Sequence, residues 1–525
     1  MNHLARMVWS VVVLSLLAVS APGVLAQSPS ATAIVLEPVT ESGYGVSSVV
    51  PSGWKSAGPG LHARGRSLTD PTVIAIQAAS APISDLWPTL LPQLQVTTTP
   101  EPIGTHTSPS GIEWTLYHVV RASANVAVDL ALSEQDGRTW LVLLQAPAAE
   151  IDTLHDTVFL PAVDAYAVVV AVASPAGSGS PTPYADEEVS FPGGASDVTL
   201  AGTLSLPAAD GPLPAIVLVT GSGPQDRDES LAPLAAIKPF AIIADALARA
   251  GVAVLRFDDR GTARSTGEYA TATVADFTAD AAAAVAYLRT RPDIDHSRIG
   301  LLGHSEGGLD VAEIAGADPS IAFVAGMAPP ATSGVDLLVQ QNEAILRVQG
   351  VAATEIAPAV QFARDVYARV IAGDKPGAEQ VIRDYSGALY DRQTPEVQQQ
   401  LGDRTAYLQS QVDARMPTLF TPWFVSLLKS DAGKAWAKVH VPVLGLFGGK
   451  DVQVPAREQA PALEAALWAA GNTSSTVTTL PDANHLFQSA KTGAVGEYGS
   501  LDQTFTADFL PTLVAWVAAH AGVAP

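Results

Sequence analysis

Residues Ile299-Gly300-Leu301-Leu302-Gly303-His304-Ser305-Glu306-Gly307-Gly308-Leu309 decide how this chain is read. Ile299 to Leu302 is a short apolar run of the kind a buried strand uses, and Leu309 to Ala317 carries helical spacing. Between them, Gly303-His304-Ser305-Glu306-Gly307 matches G-x-S-x-G. In that motif the glycines let a serine occupy a sharp strand-to-helix turn with its hydroxyl projecting from the sheet. The match alone is weak in a chain with 42 glycines, so the strand before it and the helix after it carry the reading. Strand, turn and helix together make Ser305 a candidate nucleophile.

The alternation extends in both directions. Glu188 to Phe191 and Val198 to Leu206 predict an antiparallel pair joined through Gly193-Gly194. Ala215 to Thr220, Val252 to Phe257, Ala322 to Met327, Val441 to Phe447 and Ser475 to Leu480 predict further strands. Phe240 to Ala250, Val274 to Arg291 and segments beginning at Arg457 and Phe505 predict the helices between them. Such alternation implies a doubly wound, mostly parallel α/β sheet over residues 187–525. Ala331 to Val439 breaks it with helix-spaced segments, which predicts a helical cap at about 331–439, bordering the ligand crevice.

Residues 27–172 have another texture. Val73 to Ala78, Glu113 to Arg121 and Val126 to Ser133 alternate as half-buried strands do, and Thr139 to Gln145 follows through Asp136-Gly137 as a hairpin. With helical spacing at Ile83 to Leu94 and Ala148 to Phe159, this predicts a small N-terminal α+β domain. Residues 173–186, rich in Ser, Pro and Gly, predict a linker. At the start, His3 and Arg6 precede the apolar run Val8 to Val19, and Val24-Leu25-Ala26 offers small residues before Gln27. Residues 1–26 therefore predict a signal peptide and an extracytoplasmic protein. The run is shorter than the roughly 20 residues a span requires, so no stable membrane insertion is expected after cleavage. The chain of 525 residues has no cysteine, which excludes disulfides and thiolate chemistry, and its formal charge of −23 argues against nucleic acid as a partner.

A serine hydroxyl needs a base to activate it and an acid to orient the base. Of ten histidines, His3 leaves with the signal, and His62, His106, His118 and His155 belong to the other domain. His296 and His440 sit at the amino ends of strands, His520 lies in the last helix, and the side chain of His304 should diverge from its neighbour. His485 remains, in the loop after Ser475 to Leu480. Asp451 follows Val443 to Phe447 through Gly448-Gly449-Lys450 at the same edge, and the order serine, acid, histidine suits this arrangement. Asp482 and Asp336 are lesser candidates for the acid. The oxyanion donors should be the peptide N–H of Glu306 and, from the turn Gly221-Ser222-Gly223, that of Ser222. Asp226, Arg227 and Asp228 are expected to brace that turn by mutual ion pairing. In the cap, Met416, Phe420, Trp423, Phe424 and Leu427 have helical spacing, and some of them should face the acyl site.

Three motifs carry a resemblance to a known family: Thr220-Gly221-Ser222-Gly223-Pro224-Gln225-Asp226-Arg227-Asp228, then Asp259-Arg260-Gly261 with Ser265-Thr266-Gly267, then Gly303 to Gly308. From Glu188 to His485, cap excepted, the chain resembles the bacterial serine aminopeptidase-like esterases of the α/β-hydrolase superfamily. The resemblance implies a carboxylesterase acting on small-molecule acyl esters through a Ser-Asp-His triad, with no cofactor and no metal. Thr262-Ala263 departs from the Gly-Val-Gly usual there, which puts local packing in question. Two other readings stay open. One is an aminopeptidase or prolyl-type peptidase of the same fold, with Glu343, Glu355 or Asp365 of the cap receiving a substrate ammonium. The other is an exported binding protein on a relic hydrolase fold.

Overall fold

The computed structural model describes residues 34–523 apart from 42–43, 59, 65–71, 80–81, 95, 97, 122–125, 136, 170–182, 232–234 and 236. The expected signal peptide and most of the expected linker lie outside the described residues. Among those described, no helix is long and apolar enough to cross a membrane.

The N-terminal region contains β1 (Leu36–Glu41), β2 (Val46–Pro51), β3 (Lys55–Gly58), β4 (Leu61–Ala63), β5 (Val73–Ala79), α1 (Ile83–Leu94), β6 (Pro102–Thr107), β7 (Glu113–Arg121), β8 (Val126–Gln135) and β9 (Arg138–Pro147). Then come α2 (Ile151–Leu154), a turn of π-helix over His155–Phe159, α3 (Leu160–Asp164) and β10 (Ala167–Val168). Seven strands pair antiparallel in the order β3-β4-β5-β9-β8-β7-β6, and β1-β2-β10 form a smaller sheet. Strand β8, expected to be half-buried, is covered on both faces. Val126, Val128, Leu130 and Leu132 join Leu90 and Leu94 of α1 in one cluster, while Ala127 and Ala131 join Phe159, Val163 and Tyr166 in the other. Asp129 lies inside this strand, which is tolerable because its carboxylate meets His118 Nδ1 at 2.7 Å and His155 Nδ1 at 2.8 Å.

The second region begins with β11 (Tyr184–Pro192), so the strand starts three residues inside the stretch read as linker. It continues with β12 (Thr199–Pro207), β13 (Leu213–Val219), α4 (Pro239–Arg249), β14 (Ala253–Phe257), α5 (Val274–Leu288), β15 (Ile294–His304), α6 (Glu306–Ala317) and β16 (Val324–Met327). After an insertion come β17 (Val443–Gly448), α14 (Ala456–Ala469), β18 (Ser475–Leu480) and α15 (Phe509–His520). The strand order is β11-β12-β14-β13-β15-β16-β17-β18; β12 pairs antiparallel with β11 and β14, and every later pairing is parallel. All seven residues of β13 and all six of β17 are buried, as helices on both faces require. Thr273 and Asp276 close a capping box at the start of α5, satisfying two of its free N–H groups.

The insertion holds α7 (Gly334–Val348), α8 (Ala353–Ile371), α9 (Lys375–Asp391), α10 (Pro395–Leu401), α11 (Arg404–Leu419), α12 (Pro422–Lys429) and α13 (Ala432–Trp436). It is wholly helical. Its last helix belongs to the body rather than the cap, since α13 packs on α6 and α14, and Trp436 Nε1 donates to the Pro330 carbonyl at 2.9 Å.

The motif departure at Thr262-Ala263 has a backbone consequence, because Ala263 sits at φ +46°. An L side chain is strained there, whereas glycine is not. Ala263→Gly is expected to stabilise the protein by about 0.5–1 kcal/mol, read as a higher urea midpoint at unchanged slope.

Candidate active site

Ser305 occupies the junction of β15 and α6 at φ +54° and ψ −122°, outside the regions ordinary residues adopt. Two glycines permit that turn. A Cβ on Gly303 would strike the carbonyl of Gly307, and one on Gly307 would strike the carbonyls of Val219 and Thr220 at the end of β13. Helix α6 thus starts in backbone contact with the central strand. Gly307→Ala is expected to cost about 3 kcal/mol, measured by thermal unfolding, because backbone rather than a movable side chain blocks the methyl group.

Asp451 and His485, from the loops after β17 and β18, are brought together: His485 Nδ1 lies 2.7 Å from Asp451 Oδ2. The other oxygen, Oδ1, accepts the peptide N–H groups of Gln453 and Val454 at 2.7 and 3.0 Å. Both side chains are buried. A buried carboxylate with both oxygens engaged is fixed in place, and it fixes the ring it accepts from. Nδ1 is committed to Asp451, so Nε2 is the nitrogen left for chemistry. Asp482 instead pairs with Lys450 on the surface, and Asp336 pairs with Arg364 and Ser333 in the cap. Neither bonds His485.

Ser222 and Glu306, the expected oxyanion donors, approach each other through side chains, Ser222 Oγ donating to Glu306 Oε2 at 2.7 Å. Their peptide N–H groups have no acceptor among the described residues, whereas the N–H of Gly221 is taken by Glu229 Oε1 at 3.3 Å.

The serine elbow at the end of β15 lies within the part of the chain that known proteins match. Residues 237–489 match the profile of the family described as serine aminopeptidase, S33. That segment, which holds Ser305, Asp451 and His485, is similar to the serine aminopeptidase-like α/β-hydrolases. The esterase EstD of Thermotoga maritima is 26% identical over 295 residues, which are 56% of this chain and 59% of that protein. The chain thus matches less than two thirds of that relative's length. Among solved structures, an esterase of Pyrococcus furiosus aligns at 16% identity over 66% of this chain and 94% of its own, with a TM-score of 0.38. A hypothetical protein of Pseudomonas aeruginosa aligns at 18% over 65% and 95%, with a TM-score of 0.39.

In this α/β-hydrolase the turn after β13 is braced, though not as expected. Asp226, Arg227 and Asp228 do not pair with one another, because alternating side chains leave the turn in different directions. Arg227 forks onto Asp258 at 2.8 and 3.0 Å and reaches Glu188 at 2.9 Å. Asp228 pairs with Arg256 and Lys238, and Asp226 accepts the N–H groups of Asp228 and Ser230. Asp259 accepts from Thr220 Oγ1 at 2.8 Å and from the Gln225 N–H at 2.9 Å.

A cavity beside the serine is lined by Ser222, Gly223, Asp259, Tyr269, Glu306 and Asp310. Burial pushes the carboxyls of Asp259, Glu306 and Asp310 above their ordinary values. Of the cap residues with helical spacing, Phe424 and Leu427 are core, while Trp423 donates Nε1–H at 2.8 and 3.0 Å to Glu306, which lines this cavity. The cap is therefore tied to the residue after Ser305. Sequence reasoning assigned Glu306 only its backbone and missed this bridge; no local signal announces a bond spanning 117 positions. Among the described residues, no group of three His, Cys, Asp or Glu side chains is placed to hold a metal ion.

Proposed function

We propose that the chain is a secreted carboxylesterase that cleaves acyl esters through an acyl-enzyme. The observation that carries this reading is the His485 to Asp451 bond of 2.7 Å at the sheet edge where Ser305 is held at positive φ. Asp451 keeps the hydrogen on Nδ1 and leaves Nε2 basic. Ser305 Oγ attacks the ester carbonyl carbon while its proton passes to His485 Nε2, and the oxygen that gains charge meets the N–H groups of Ser222 and Glu306. Collapse expels the alcohol, which takes the proton from His485. Water then repeats the sequence on the acylated serine and frees the acid.

The name of the Thermotoga relative favours esters, whereas the family description names an aminopeptidase. Two of the cap acids considered for a substrate ammonium are committed, Glu343 to Arg347 and Asp365 to Gln361, while Glu355 is half-buried. A fluorophosphonate probe should attach to the peptide that carries Ser305, located by mass spectrometry; an adduct elsewhere would assign the nucleophile elsewhere. A p-nitrophenyl ester should be turned over faster than an aminoacyl anilide, and the reverse ranking would favour the peptidase. Export rests on the leader sequence, and a secreted form beginning at Gln27 checks it.

A further inference from the structure

A second histidine lies against the proposed triad and takes no part in the reaction above. His304 ends β15, and its ring centroid is 4.8 Å from that of His485. Its side chain is 4% exposed, and that of Glu229 is 0% exposed. Nδ1 of His304 lies 2.6 Å from Glu229 Oε1, and Nε2 lies 3.0 Å from the backbone carbonyl oxygen of His485. A carbonyl oxygen only accepts, so Nε2 carries a hydrogen. With Glu229 as a carboxylate, which has no hydrogen to give, Oε1 accepts from both the Gly221 N–H and His304 Nδ1. Both ring nitrogens then carry hydrogen.

We propose that His304 is a buried imidazolium which, with the Glu229 carboxylate, forms a positioning pair that holds the His485 loop and the Ser222 turn in fixed relation to Ser305. The inference rests on the reading of Ser305 and His485 as the reacting groups. One charged pair joins three segments that come from the ends of β13, β15 and β18. Glu229 bonds the N–H of Gly221, immediately before the proposed oxyanion donor Ser222. His304 immediately precedes the nucleophile and bonds the carbonyl of the proposed base. The ionisable groups that face His304 are Glu229 after β13, Asp451 after β17 and His485 after β18. Burial disfavours its charge, but the Glu229 carboxylate, the His485 carbonyl and the Asp451 charge outweigh burial and hold the proton above the ordinary imidazole range. The pair is therefore charged at neutral pH and is lost as pH rises through that raised value.

Histidine-selective 15N NMR of the wild-type protein, with His304→Gln used to assign the resonance, should show both ring nitrogens of His304 protonated at neutral pH. A neutral tautomer with one bare nitrogen overturns the proposal, and this measurement needs neither turnover nor a variant of Glu229. In the pH profile of kcat on a p-nitrophenyl ester, wild type should show an alkaline fall. Glu229→Gln should move that fall to lower pH by about one unit or more, since the stabilising charge is gone. His304→Gln should abolish it while lowering kcat roughly tenfold to a hundredfold at nearly constant KM. An alkaline limb at the same pH in Glu229→Gln overturns the proposal as well, because a purely structural role changes amplitude and not position. Failure of the Ser305 assignment would appear in fluorophosphonate labelling and leave the NMR state of His304 unchanged.

Discussion

Ser305→Ala is expected to lower kcat for ester turnover by about 10⁶-fold, because no other group can carry the acyl chain between the two half-reactions. The fold should not notice the change. Ser305 Oγ makes no hydrogen bond among the described residues, and alanine keeps the Cβ that the elbow already accommodates at φ +54°. Stability should therefore change by less than about 0.5 kcal/mol. What remains is substrate binding and the N–H groups of Ser222 and Glu306, which can still polarise a carbonyl for attack by water. The measurement is kcat beside a thermal melt, with fluorophosphonate labelling as control. A variant that keeps a hundredth of the activity and still takes up the label would show that Ser305 is not the nucleophile.

Asp451→Asn is expected to cost about 10⁴-fold in kcat with the structure intact, and the surrounding bonds give the reason. Asp451 Oδ1 receives two peptide N–H groups, from Gln453 and Val454, and Oδ2 receives the ring of His485. In the variant the amide oxygen must stay on the two N–H donors, since the amide nitrogen cannot accept from them. Its NH₂ group then faces His485 Nδ1 and forces the hydrogen onto Nε2. That tautomer cannot take the proton of Ser305, so the base is lost although nothing has moved. A loss below tenfold would mean that His485 does not depend on Asp451 for its tautomer. Asp482→Asn serves as a comparison, because that carboxylate pairs with Lys450 and not with the ring.

Much of the molecule was legible before its fold. The spans read for α1, β7 and β18 coincide with the observed elements, because apolar spacing and bounding turns are properties of adjacent residues. Strand β15 begins at Ile294, earlier than expected, because its polar start Asp295-His296-Ser297 carries no apolar pattern. The half-buried reading of β8 failed for a related reason: Ala127 and Ala131 look like spacers in sequence but meet a second cluster in space.

The sequence by itself determined the alternation of strands and helices, the glycine-flanked turn at Ser305 and the placement of Asp451 and His485 just past strand ends, since each depends on a few neighbouring residues. Only the tertiary structure decided which strands stand side by side, that β14 lies between β12 and β13, and that the Asp451 carboxylate meets His485 Nδ1. It also decided that Arg227 forks onto Asp258, that Trp423 of the cap bonds Glu306, and that His304 faces Glu229 and the His485 carbonyl. These partners lie 31 to 181 positions apart along the chain. A buried charge must find its counter-charge wherever packing brings one, and that choice is made by the whole core rather than by local pattern.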